Sequence, residues 1–175
     1  MRWLLILLLL SVFPARSSQE TVDLRYKGLT NITEELVTRN VTVLNADFNK
    51  ITELDSIPVM NSLQVLSLKN NILSQFPNLA NVGHTLTTLY LTSNKITYIA
   101  PERLDVLSVL EILDLSRNGL TSIPDVSGPS ESLTQLILAY NELSVFPSLA
   151  LLGKSLNNLD LDNNYIREIT EEMLR

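Results

Sequence analysis

Cysteine is absent from this 175-residue chain, which excludes disulfides, thiolate metal ligands and a thiol nucleophile. Histidine is nearly absent: His84 is the single one. One imidazole and no thiol cannot furnish a zinc site, and a nucleophile–histidine–acid relay would rest on that ring alone. Five glycines are too few and too scattered for a phosphate-cradling loop before a helix. Cations are also outnumbered, 13 Lys and Arg against 19 Asp and Glu, a formal charge of −6. That balance disfavours nucleic acid and anionic membranes as partners, and nothing in the chain is expected to collect lysine and arginine on one face. The composition points to no enzyme, no cofactor and no metal.

Only one long apolar run is present, Trp3 to Phe13. It falls short of the ~20 residues that span a bilayer. Arg2 precedes it and Ala15-Arg16-Ser17 follows, the pattern of a secretory signal over 1–17 with Ser18 as first mature residue. Removing that leader takes away Arg2 and Arg16, leaving 11 cations against 19 acids, or −8. No second such run follows, so the chain carries no expected membrane span, and its expected location is extracellular, or the cell surface if the full chain continues. Asn31-Ile32-Thr33 and Asn40-Val41-Thr42 are glycan acceptor sequences, and Asn31 and Asn40 are expected to be reachable.

What the chain has in abundance is one phrase. LQVLSLKNNIL from Leu63 returns as LTTLYLTSNKI from Leu86, LEILDLSRNGL from Leu110, LTQLILAYNEL from Leu133 and LNNLDLDNNYI from Leu156. A weaker copy starts at Val41, and a degenerate one surrounds Val22, Leu24 and Leu29 with Lys27 in the asparagine's place. Asn49, Asn71, Asn94, Asn118, Asn141 and Asn164 are spaced by 22, 23, 24, 23 and 23 residues. Leucines at positions four and six of each copy share one side of an extended strand. Positions three, five and seven then face solvent. The asparagine at position nine sits where the chain turns, and its amide can bond the backbone of its own and the neighbouring turn. These six are expected to form a polar spine that holds the fold and catalyses nothing.

The return segments repeat over a longer period. Phe76-Pro77-Asn78-Leu79-Ala80 recurs as Phe146-Pro147-Ser148-Leu149-Ala150, with Gly83 answered by Gly153, and Ile123-Pro124-Asp125-Val126 is a looser relative. The Phe-Pro copies should run as extended or 3₁₀ segments. Ile32-Thr33-Glu34-Glu35-Leu36, Ile99 to Leu104 and Ile169 to Leu174 form a second set. Thr33 and Thr170 are expected to cap short helical turns, with acids where the helix dipole favours them.

From about Thr21 onward the chain resembles extracellular leucine-rich repeat proteins. The resemblance implies an α/β solenoid: a concave parallel sheet inside, short 3₁₀ or helical turns outside. It divides the chain into a leader (1–17), a degenerate capping repeat (18–40) and six repeats (41–175) with no C-terminal cap. Disulfide-bonded caps would be expected from the family, and the lack of cysteine departs from that pattern. Thr21, Asp23, Arg25 and Lys27 make the first strand polar, and Asp160 and Asp162 charge the last, which discourages edge pairing.

Function is expected on the concave face. Tyr90, Ile112, Ile137 and Tyr140 fall in the middle copies and should form a small exposed apolar zone bordered by Asp114 and Arg117. Lys69, Asp160 and Asp162 lie on the same face. Apolar patches with polar rims mark interaction sites, and aromatic and arginine side chains tend to dominate binding energy. Asp114, Asp160 and Asp162 could together offer oxygens to calcium, although full coordination needs about six or more. His84 is expected on the convex return, remote from Ser74 and Asp47. The resemblance implies a binding module for a protein ligand, in innate recognition or adhesion. Its alternatives are the N-terminal part of a receptor ectodomain, an assembly protein forming homo-oligomers through its uncapped end, and an enzyme inhibitor.

Overall fold

The computed structural model describes residues 19–124, 131–148 and 155–169. The expected leader 1–17, the Thr170 cap, and Asp125, Val126, Leu149, Ala150 and Gly153 of the return segments lie outside the described residues.

Seven short strands build one parallel sheet in chain order: β1 (Glu20–Asp23), β2 (Val41–Asn45), β3 (Val65–Ser67), β4 (Thr88–Tyr90), β5 (Ile112–Asp114), β6 (Gln135–Ile137) and β7 (Asn158–Asp160). From β2 onward register is constant, Leu44 beside Leu66, Leu66 beside Leu89, and on through Leu113 and Leu136 to Leu159, while β1 meets β2 with a shift between Glu20 and Thr21. The chain therefore advances one coil per repeat, and each coil is numbered by its strand. Position six donates to the next coil: Leu68 N–H to the Tyr90 carbonyl at 2.9 Å, Leu91 to Asp114 at 2.8 Å, Leu115 to Ile137 at 2.8 Å. Only sequential coils touch, the mark of a solenoid.

Leucine spacing produces the core directly. Leu63, Leu66, Leu68 and Leu73 of coil three are all wholly buried, as are Leu86, Leu89, Leu91 and Ile96 of coil four. Each contributes about 1.5–3 kcal/mol through removal from water. Return segments supply the opposite wall with Leu79, Val82 and Leu107. The last coil is looser, with Leu156, Leu159, Leu161 and Ile166 only partly buried against the core.

The asparagines do what their position demands. Asn118 Nδ2 donates to the carbonyls of Leu91 and Leu115, both at 3.0 Å, while its Oδ1 accepts from Ile96 N–H at 3.0 Å. Asn49, Asn71, Asn94, Asn141 and Asn164 repeat this pattern, each reaching back to the preceding coil. Burial is less uniform than expected: Asn49, Asn71 and Asn141 are buried, but Asn94, Asn118 and Asn164 are intermediate.

The outer side is mostly irregular. Among the described residues a 3₁₀ turn spans Glu34–Leu36, and one helix, α1, runs over Pro101–Asp105 with proline in its first turn. Thr33 does hold the N-cap position, but its hydroxyl bonds the Glu35 carboxylate at 3.2 Å and makes no cap bond. Phe76–Leu79 adopts no regular helix, in keeping with its proline, and a turn follows through Thr85. Gly83 is buried in that turn where a Cβ would stand 2.4 Å from the Val106 carbonyl oxygen. Its missing side chain is what lets coil three pack beside α1. No helix among the described residues is long and apolar enough to cross a membrane.

Candidate functional site: the concave sheet and its corner

Tyr90, Asp114, Ile137 and Asp160 occupy one row, side by side in register across β4 to β7, and Ile112 stands in the next row between Thr88 and Gln135. The strands thus bring together the middle-copy residues that the repeat frame nominated. Their exposure differs from expectation. Tyr90, Ile112, Asp114 and Ile137 are half-buried, and of the apolar group only Tyr140, at 47 %, is exposed. Neighbouring side chains stand about 4.8 Å apart on a parallel sheet and shield one another. Asp47, Ser67 and Ala139, expected to face solvent, are buried for the same reason.

Two cations brace the aromatic rings. Lys69 Nζ sits 3.9 Å from the Tyr90 ring centroid, and Arg117 Cζ lies 4.2 Å from that of Tyr140. Each contact is worth about 0.5–1 kcal/mol where exposed and holds an otherwise mobile charge in one place.

The acids on this face hold the strand ends. Asp114 Oδ1 accepts from Ser116 N–H at 2.9 Å and Ser116 Oγ at 2.6 Å, while its Oδ2 accepts from Thr92 Oγ1 at 2.7 Å. Asp160 Oδ1 accepts from Asp162 N–H at 3.0 Å, Asn45 Oδ1 from Asp47 N–H at 3.0 Å, and Asp23 Oδ1 from Arg25 N–H at 3.1 Å. Position five bracketing the N–H of position seven is an Asx-turn, the local bond that Asp and Asn offer a chain leaving a strand. Asp47 does the same across coils, taking Ser67 Oγ at 2.6 Å and Lys69 N–H at 2.8 Å. Asp114 is therefore engaged with its own corner and separated from Asp160 by β6. No group of three acids among the described residues is placed to hold a metal.

Asp23 also meets the Arg25 guanidinium at 2.6 Å. The hydrogen bond from Arg25 holds the Asp23 carboxyl down at about 2 and raises Arg25 in return. Both groups are exposed, so the pair has little bearing on stability.

Position eight was expected on the concave face. In every coil it is instead a left-handed bend: Tyr26, Phe48, Asn70, Ser93, Arg117, Tyr140 and Asn163 all have φ between 53° and 59°. Such a conformation costs a non-glycine residue about 1–2 kcal/mol. At every bend but Asn163 the N–H donates to the next coil, which helps hold it: Phe48 to the Lys69 carbonyl at 2.9 Å, Tyr140 to that of Asp162 at 2.8 Å. Tyr26 and Phe48 stack at this corner with centroids 4.6 Å apart and planes inclined by 12°.

The corner also overturns the expectation that no face gathers cations. Positions seven to ten of coils one to five carry Arg25, Lys27, Lys50, Lys69, Lys95 and Arg117, six of the nine Lys and Arg among the described residues. The one acid at those positions, Asp47, is buried and bonded as above. Beyond coil five the sign reverses with Glu142 and Asp162. Residues about 23 apart in sequence are neighbours only in the coil, so the ridge has no linear signature.

Away from this face, His84 is exposed on the return turn. The acceptor residues Asn31 and Asn40 are both exposed.

Residues 84–143 match the leucine rich repeat family model. With the constant register from β2 onward and the asparagine column, the match supports a leucine-rich repeat family for this chain. Among solved structures it is similar to an LRR protein of Leptospira interrogans at 21% identity and a TM-score of 0.44, over 90% of this chain and 58% of that one. It thus spans little more than half of that relative's length. No curated protein matches. Leucine-rich repeats serve in general as protein-binding scaffolds, and the repeats here suggest a module of that general kind.

Proposed function

We propose that this chain is a secreted or cell-surface binding module whose concave sheet engages a protein ligand around Tyr90, Ile112, Asp114, Ile137 and Tyr140. The observation that carries the reading is the pair of braced rings, Lys69 over Tyr90 and Arg117 over Tyr140, flanking half-buried Ile112 and Ile137 on adjacent strands. Amphipathic rings with fixed neighbours lose little entropy when a partner covers them. Lys69 borders the zone at one end and Asp160 and Asp162 at the other, with Arg117 inside it against Tyr140, so the ligand would meet charges of both signs. Innate recognition and adhesion are the settings proposed, and a receptor ectodomain is the form this module would take if a membrane anchor follows it.

The test places a photo-crosslinker at Ile137, or at Val59 on the outer side, and exposes the protein to the fluid of cells that secrete it. A discrete adduct is expected from Ile137 alone, and Tyr90→Ala with Tyr140→Ala should abolish it while leaving the melting temperature within about 5 °C. Equal capture from Val59, or loss of adduct together with loss of folding, would refute the site. Secretion is proposed on the leader and the two acceptors. The exported protein should begin at Ser18 and lose mass on enzymatic removal of N-glycans; an unchanged mass would count against Asn31 and Asn40 as modified residues.

A further inference from the structure

We propose that the basic corner of coils one to five binds a linear sulfated polysaccharide laid along the solenoid axis. Every one of these coils contributes a cation at the same bend: Arg25 and Lys27, then Lys50, Lys69, Lys95 and Arg117 in turn. Strand spacing of about 4.8 Å sets their period, so the ridge runs for about 19 Å. Backbone bonds fix it coil to coil, as where Lys50 N–H meets the Leu29 carbonyl at 2.8 Å and Lys95 N–H that of Leu73 at 2.9 Å. On a chain of net charge −6, cations from five successive coils concentrate positive potential along a single edge, with Arg25 alone paired to an acid, Asp23 at 2.6 Å.

The partner must be an extended polymer with dense negative charge and little demand for anything else. Four rings at or beside the corner each have one face covered: Tyr26 and Phe48 cover one another, Lys69 covers Tyr90, and Arg117 covers Tyr140. Nucleic acid binds single-stranded sites by stacking bases on open rings, and these platforms are largely taken. A sulfated polysaccharide has no bases and needs only a row of cations at short spacing. Glu142 and Asp162 close the ridge on the C-terminal side, which sets its length at five coils.

Lys50 and Lys95 lie outside the row assigned to the protein ligand, so their substitution tests the ridge and leaves that site intact. The full chain would be titrated with a heparin-type oligosaccharide by calorimetry. Lys50→Gln with Lys95→Gln should weaken binding about tenfold or more and flatten its dependence on salt. Arg39→Gln with Arg167→Gln removes the same charge from exposed positions off the ridge and should change affinity less than about twofold. Circular dichroism melts keep both variants honest as folded proteins. The proposal is overturned if the two double variants lose affinity equally, if a desulfated oligosaccharide binds as well, if no binding occurs at low salt, or if a DNA duplex or polyglutamate binds more tightly.

Discussion

At the scale of single residues, the asparagines and aspartates divide one task between them, satisfying backbone groups that the three-residue strands leave over. Asn141 is buried and holds Leu115 and Leu138 carbonyls at 2.9 Å and Leu120 N–H at 3.0 Å. Asn141→Ala strands all three, and the expected loss is about 3 kcal/mol in chemical denaturation. Asp23 gives a second prediction. Its pKa of about 2 is depressed from the ordinary carboxylate value, so what its charge contributes is present above that value and is lost as pH falls toward 2. Arg25→Gln should return its NMR titration midpoint toward the ordinary value, with little change in folding because the pair is exposed. The asparagine role was legible from sequence because the motif repeats it. The aspartate brackets were not, since their partner is a backbone N–H two residues on, which any residue supplies. Asp114 and Asp160 consequently read as free carboxylates when they are committed to their own strand ends.

At the scale of elements, strand alternation read from the sequence holds through position seven and fails at position eight. The failure has a physical cause: nothing in Phe48, Arg117 or Tyr140 advertises a left-handed bend, which Gly or Asn usually fills. An inter-coil hydrogen bond holds it at six of the seven bends. The return segments were better legible, because proline decides them: Pro101 opens α1, and Pro77 keeps Phe76–Leu79 out of helix. Gly83 shows where one element depends on another. Gly83→Ala drives a methyl against the Val106 backbone, and an expected cost of about 2 kcal/mol or more should appear as a lowered denaturation midpoint with unchanged slope. A tolerated alanine would mean that the turn and α1 can move apart freely.

For the whole molecule, register fixes both the hydrophobic interior and the charged ridge, yet only the first is written in the linear pattern. Leucines recur within each copy and announce themselves, whereas Lys50, Lys69, Lys95 and Arg117 come from separate copies and differ in position by up to three places. Stability in such a stack is a sum of local and nearest-neighbour contributions. Leu89→Ala, at the wholly buried centre, should cost about 3–5 kcal/mol. Leu159→Ala, at the half-buried last coil, should cost clearly less. Similar losses at both sites in thermal or urea melts would mean that the coils do not differ in packing as described.

The backward reach of each position-nine amide gives the stack a polarity with a consequence for damage. The N–H two residues past each asparagine is bonded by the amide of the next coil, as Ile96 N–H is by Asn118 and Leu120 N–H by Asn141. Removing the Asn118 amide should quicken deuterium uptake first at Ile96, one turn toward the N-terminus, ahead of Leu120 in the mutated turn.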